Sequence, residues 1–431
     1  VPAILAVLAC LVLLAGGIHA VLEAGSGRRA AQSGSPSGGA AGGSSSAGSH
    51  PAGRGAGASG LSASGARAAG RRAALSARAA SLVFCPASPA PALRQPLRQA
   101  LASAVPGSAS AEVLPLGVSS DGRTAYVSAW TPQFAGVAAL NLASGALRKI
   151  QVFADPATDQ ADGSSGGRWL VWAETYSLSS LDDFTIFAWD SATGHRLRLG
   201  HSIAGPDGVP WPSPWHAPAV SGHYAAWAQG YGPGGLVEIR LADLSAGTVT
   251  TIRTGHTQPP FFDGDLVVWP ESDAPGAQTT LRAYNLATGR LAALPAALRG
   301  VNGTDFVVTD GTRTAYLSPS LTSLYYSPEQ DRTARLAFRL PPGQDFSDLA
   351  MAPDSLAWTT TAATYLASTR TGAFVRVTAQ YGFATGSGSV MLVTDPPGQK
   401  QAHPALPLHV IDPARIGWPD CQPSEGAARR S

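Results

Sequence analysis

Eight carboxylates, four histidines and two tryptophans fall in the longest polar loops of this 431-residue sequence. The acids are Asp155, Asp159, Asp162, Glu174, Asp182, Asp183, Glu271 and Asp273. His201, His216, His256 and His403 accompany them, with Trp211 and Trp215 in the segment PDGVPWPSPWH (206–216). Exposed indoles beside carboxylates suit a saccharide or a cationic peptide, since rings offer stacking faces and carboxylates accept hydroxyl or ammonium hydrogens. The candidate ligand-binding residues are therefore Trp211, Trp215, His216, Asp182, Asp183 and Glu271. The plainer alternative is a set of solvated loops with the tryptophans packed under a proline-rich turn.

No catalytic motif passes the same test. Gly163-Ser164-Ser165-Gly166-Gly167 spells G-x-S-x-G, but a nucleophile elbow needs a buried strand before the serine and a helix after it. Here an acidic loop precedes it and strand-like residues follow. Asp155, Asp159 and Asp162 miss the alternating spacing of a calcium loop, and neither H-E-x-x-H nor paired C-x-x-C occurs. The glycine-rich tracts do not connect a strand to a helix, so they make no phosphate cradle. No catalytic residue, metal ligand or cofactor is assigned.

The chain that must position these residues divides into unlike parts. Residues 1–22 contain the uncharged run PAILAVLACLVLLAGGIHAVL, whose twenty-one residues would span about 31 Å as a helix, enough for a bilayer core. This segment is expected to be a retained membrane anchor; a cleaved signal peptide ending near Ile18-His19-Ala20, or lipidation at Cys10, are the alternatives. Residues 23–80 are nearly all Gly, Ser, Ala and Arg, too poor in large apolar side chains to offset the entropy of ordering, so a disordered linker is expected. Seven arginines and one glutamate give residues 1–80 a net charge of +6 against +2 for the whole chain, leaving the rest at −4. With two lysines and no basic–aromatic stripe in the folded part, nucleic acid is not an expected partner.

From residue 81 to 421 the sequence repeats. RWLVWAE (168–174), HYAAWAQ (223–229), DLVVWPE (265–271) and, less regularly, SLAWTTT (355–361) are short strands after a turn. Each is followed by a second strand closing on a small-residue turn, with glycines at 145, 194, 247, 289 and 372. Successive gaps are 49, 53, 42 and 83 residues, the last being two periods with a degenerate unit at 305–323 between them. GRTAYVSAW (122–130) opens the series; SVMLVTD (389–395) and LHVIDPA (408–414) close it. A period in the forties with about four short strands per unit predicts an all-β chain forming a single β-propeller, with seven blades, or six if residues 299–340 are divided wrongly. Trp172, Trp227, Trp269 and Trp358 are then equivalent inter-blade core positions. Leu93, Leu97 and Leu101 carry a helical spacing over Pro91–Val105.

VSSDGRTAYVS (118–128) and MAPDSLAWT (351–359) resemble the S-P-D-G core of TolB-like propeller repeats, and the hairpins ending in ATG resemble their second strands. The resemblance covers roughly 110–415 at the level of single repeats, and such propellers serve many functions. It implies a bacterial, membrane-anchored or secreted WD-type propeller, here preceded by the linker instead of an α/β domain.

A propeller has to close its ring or expose an edge. The spare strand SLVFC (81–85) is expected to complete the last blade, setting Cys85 beside Cys421 in a disulfide and implying an oxidising compartment. Residues 422–431 are expected to form a disordered tail. Long loops gather on the face with the second-to-third strand loops and the inter-blade connections, where binding usually resides. The resulting expectation is a monomeric, noncatalytic cell-surface binding or scaffold propeller. It is anchored by one span with the propeller outside, or secreted after cleavage, and takes a protein, peptide or glycan. An extracellular hydrolase or lyase acting on polysaccharide or peptide is the alternative.

Overall fold

The computed structural model describes residues 82–87, 105–106, 112–176, 182–214, 217–304, 306–378, 382, 384–387, 390–394 and 408–421. The anchor, the linker, the tail and most of the Pro91–Val105 run lie outside them. Among the described residues no helix is long and apolar enough to cross a membrane.

In chain order the strands are β1 (Cys85–Pro86), β2 (Glu112–Val118), β3 (Thr124–Thr131), β4 (Phe134–Asn141) and β5 (Leu147–Val152). Then come β6 (Gln160–Gly166), β7 (Trp169–Thr175), β8 (Phe184–Asp190), β9 (Arg196–His201), β10 (Ala219–Ser221), β11 (Tyr224–Gly230), β12 (Val237–Asp243) and β13 (Thr248–Thr257). β14 (Phe261–Asp263), β15 (Leu266–Ser272), β16 (Thr280–Asn285), β17 (Arg290–Ala292), β18 (Val307–Thr309), β19 (Thr314–Leu317), β20 (Ser323–Ser327) and β21 (Arg335–Arg339) follow. The last are β22 (Phe346–Ala352), β23 (Ser355–Thr360), β24 (Ala363–Ser368), β25 (Ala373–Thr378), β26 (Ala384–Ser387), β27 (Val390–Thr394) and β28 (Leu408–Ile411).

These form antiparallel meanders: β2–β5, β6–β9, β18–β21, β22–β25 and β26–β28. An eight-stranded sheet holds β10–β13 and β14–β17, whose ladders meet where His256 and Thr257 pair with Ser272 and Glu271. The first strands run in a closed circuit, β2 against β6, then β10, β14, β18, β22 and β26, which returns to β2. Apolar clusters fill the gaps between successive meanders. Tyr126 and Ala139 meet Trp172 and Trp189 in one gap, and Val171 meets Trp227 in the next. Val390 and Leu392 meet Val127 and Leu140 where the circuit closes. The fold is all-β and propeller-like.

The repeated tryptophans occupy one geometric position, the fourth residue of the second strand after a two-residue turn. Trp172, Trp227, Trp269 and Trp358 are all buried there, each removing on the order of 200 Å² of ring from water, about 5 kcal/mol of gross apolar transfer. The first strand β6, QADGSSG, is instead small and polar where it runs between β2 and β10. Ser164 and Ser165 of the apparent nucleophile motif belong to β6, and their hydroxyls donate to the Pro218 and Val118 carbonyls flanking it. Gly167, with φ 59°, is the hairpin turn into β7, so no helix follows. The serines stitch neighbouring meanders together.

The expected closure is half corrected. β1 does not complete the last meander: it pairs parallel with β25, as a fifth strand on the preceding one. Phe84 explains the choice, because it is buried among Leu340, Phe346, Trp358 and Phe374 of that gap. Beside β28 stands Val105 instead, whose N–H donates to the Leu408 carbonyl at 2.9 Å. The disulfide Cys85–Cys421 is present, with Cα atoms 5.9 Å apart. It fastens the carboxyl end of the described chain to the outer strand β1.

Candidate functional site

The connection from β9 to β10 folds back on itself over the end of β11. Trp211 N–H donates to the Ile203 carbonyl at 2.9 Å and Gly205 N–H to the Val209 carbonyl at 2.7 Å. Ser213 fixes the next turn: its N–H donates to Asp182 Oδ1 at 3.0 Å, and its hydroxyl accepts Gly230 N–H at 2.7 Å. Any Cβ on Gly230 would collide with the Trp211 and Pro212 carbonyls, so the approach requires glycine there. The Trp211 indole rests on Gly205 and is half-buried. Burial holds the Asp182 carboxyl above the usual carboxylate range, against the Ser213 N–H that stabilises its charge. Asp183 lies exposed beside it and accepts the Ser202 hydroxyl at 3.2 Å.

Two apolar side chains at this end were not singled out in the sequence. Val209 at the tip of the loop is 60% exposed, and Tyr231, next to Gly230, is 47% exposed. Their signal was weak, a lone tyrosine in the glycine-rich turn GYGPGG and one valine among prolines. Asp182, Asp183 and Trp211 are thus gathered at one end of neighbouring meanders, with Tyr231 beside the Pro212 turn. Trp215 and His216 lie outside the described residues.

Glu271 is engaged elsewhere. It accepts Arg253 Nε at 2.9 Å and Trp269 Nε1 at 3.0 Å, and a second Arg253 nitrogen closes a bidentate pair. Burial pushes this carboxyl up, but Arg253 and Trp269 outweigh it and leave Glu271 below its ordinary value. Of the histidines, His201 Nδ1 lies 2.7 Å from the Ser202 carbonyl and His256 Nδ1 3.4 Å from that of Gly235. His216 and His403 are outside the described residues, and no group of three metal-ligating side chains occurs among the described residues.

Glu174 holds the position in β7 that Glu271 holds in β15, two residues after the tryptophan, with the opposite electrostatics. It is 2% exposed, and its Oε2 is buried without a hydrogen-bond partner among the described residues. In place of an arginine it faces Asp159, itself buried, whose Oδ2 accepts the Asp155 N–H at 2.8 Å. Burial first, and the Asp159 charge second, push Glu174 up to about 7; Trp172 and Arg196 only moderate the rise. Tyr176, two residues on, is also raised by burial and by these two carboxylates. A buried carboxyl raised to about 7 beside a second carboxylate is a candidate proton donor or acceptor.

No protein-family model and no curated protein sequence matches the chain. Solved structures to which it is similar include a prolyl endopeptidase at 14% identity and TM-score 0.48, covering 83% of this chain and 54% of the other. Another is an oligogalacturonate lyase in complex with manganese, at 14% identity and TM-score 0.47, covering 71% and 91%. TolB from Acinetobacter baumannii is similar at 14% identity and TM-score 0.35, covering 71% and 65%. The chain spans about half the length of the prolyl endopeptidase. At these identities and scores no activity, ligand or partner transfers.

Proposed function

We propose that the chain is a noncatalytic binding propeller of seven blades that takes a peptide or glycan at the end formed by Trp211, Tyr231, Val209, Asp182 and Asp183. We count β10–β13 and β14–β17 as separate blades, because only two residue pairs, His256–Ser272 and Thr257–Glu271, join them in one sheet ladder. The observation that carries the site is the pinning of the Trp211 loop through Ser213 to Asp182 and Gly230. A loop already fixed in shape presents its aromatic ring with little further loss of entropy on binding. Carboxylates beside the ring favour a ligand that offers hydroxyl or ammonium hydrogens. We further propose a monomer held at the cell surface by residues 1–22 with the propeller outside, or released after cleavage, since a disulfide fits an oxidising compartment.

A screen of the full chain against arrayed glycans and peptides identifies the ligand. Trp211→Ala and Tyr231→Ala should then each weaken binding roughly tenfold or more, as central aromatic anchors do, with the melting temperature within about 2 °C of wild type. Unchanged binding removes the site from this end. A fall of more than about 5 °C for Trp211→Ala instead makes the loop a structural plug.

The Glu174–Asp159 pair favours a second reading, an extracellular hydrolase or lyase acting on polysaccharide or peptide. In that case Glu174→Gln should abolish turnover of an oligosaccharide or peptide substrate while leaving its binding intact. Turnover that survives the substitution discards Glu174 as the acid.

A further inference from the structure

Strand β9 is an outer edge, with no strand beyond it among the described residues. Its side chains alternate: Leu197 and Leu199 pack toward Trp227, so Arg196 and Arg198 project on the opposite side, and both are exposed. On that side Arg196 lies over the Phe187 ring, with its Cζ 5.4 Å from the centroid, and Arg148 reaches across from β5 to lie 4.6 Å over Trp189. Trp189 is the cross-strand partner of Arg196. None of the three guanidiniums has a carboxylate ion-pair partner among the described residues, although residues 81–431 carry a net charge of −4.

Other edges differ. Arg148 and Lys149 of β5 are adjacent and point to opposite faces, Lys149 over Phe134. Arg253 of β13 is bound to Glu271, and Arg335 and Arg339 of β21 stand four residues apart, with Arg339 Nε donating to the Ser323 hydroxyl. The molecule itself shows that an outer edge accepts a further strand: β1 pairs with β25 through Cys85–Ala373 and Pro86–Phe374.

We propose that the β9 edge is a docking site for an extended acidic segment of a partner protein, which adds as a fifth strand and sets alternate carboxylates against Arg196 and Arg198. Residues i and i+2 of any strand lie about 6.6 Å apart on one face, so an Asp-x-Asp or Glu-x-Glu run meets the two arginines in register. Arg148 supplies a third donor from the facing meander. The same charges repel a second copy of β9, so the edge excludes self-pairing while admitting an acidic strand.

The test uses the full chain with its disulfide intact and a labelled eight-residue peptide alternating Asp with Thr or Val, read by fluorescence anisotropy. Saturable binding is expected, weakened roughly tenfold or more in Arg196→Glu/Arg198→Glu and unchanged in Arg335→Glu/Arg339→Glu. N-methylation of alternate peptide nitrogens should abolish it, because strand addition needs backbone hydrogen bonds. The proposal is overturned if no peptide binds, if the N-methylated peptide or one with its acids in a single block binds equally well, or if the β21 variant loses as much. It is equally overturned if a carboxylated polysaccharide competes at the same carboxylate concentration, which would make the edge a general anion surface.

Discussion

Removing the Cys85–Cys421 bond, by Cys85→Ser/Cys421→Ser or by reductant, should lower the melting temperature by about 7 °C. The bond joins residues 336 apart in sequence, so the unfolded chain gains the freedom of a very long loop, worth about 6 kcal/mol at most in the chain-entropy model. Unfolding entropy of roughly 2.1 cal/mol/K per residue over about 300 ordered residues converts this to about 9 °C at most. Local packing limits the loss. Phe84 stays buried, and the Phe84, Cys85 and Ala87 N–H groups donate to the Ala337, Gly372 and Phe374 carbonyls at 2.9, 3.0 and 2.8 Å. Two-state scanning calorimetry of oxidised, reduced and doubly substituted protein measures the effect. Substitution and reduction should not add, and a change under about 2 °C would show that β1 holds its place without the bond.

Glu174 should make stability depend on pH in a way that Glu174→Gln erases. Its carboxyl titrates near 4.5 when unfolded and near 7 when folded, so between these values the native state binds the extra proton. Stability is therefore greatest below about pH 4.5 as far as this group is concerned, declines through the window up to about 7, and levels off above it. The full shift corresponds to about 3 kcal/mol at most, and relaxation of the loop around the charged form brings the expected effect to about 2 kcal/mol, or roughly 3 °C. Other groups titrate in the same range, so the difference between wild type and Glu174→Gln is the quantity to plot. It should favour the variant increasingly from pH 5 to pH 8. A flat difference would mean that Glu174 is well hydrated, and its pairing with Asp159 would lose its significance.

The contrast between Glu174 and Glu271 marks the limit of reading from sequence. Both follow a tryptophan by two residues at the end of a second strand, and the repeat makes them look interchangeable. The polar loop that follows Glu271 makes it a candidate on sequence alone. Cross-strand neighbours separate them: Arg253 comes to Glu271 from β13, while Asp159 comes to Glu174 from the connection before β6. Neither neighbour lies close in sequence, and spacing along one strand does not report which charge folds against it.

Tryptophans at a constant offset from a turn, glycines closing each second hairpin and cysteines bracketing the repeats were sufficient for the all-β, repeated organisation and for the disulfide. Those signals are local: a strand's alternation and a turn's φ depend on a few consecutive residues. Where β1 docks, which loop ends meet at Trp211, which glutamate is neutralised by an arginine and which edge keeps unpaired arginines were decided only in the tertiary structure. Each depends on residues tens to hundreds of positions apart. Phe84 illustrates the reason, since the segment leading into β1 could have completed either of the last two meanders, and the burial of one ring between Leu340, Phe346, Trp358 and Phe374 selected between them.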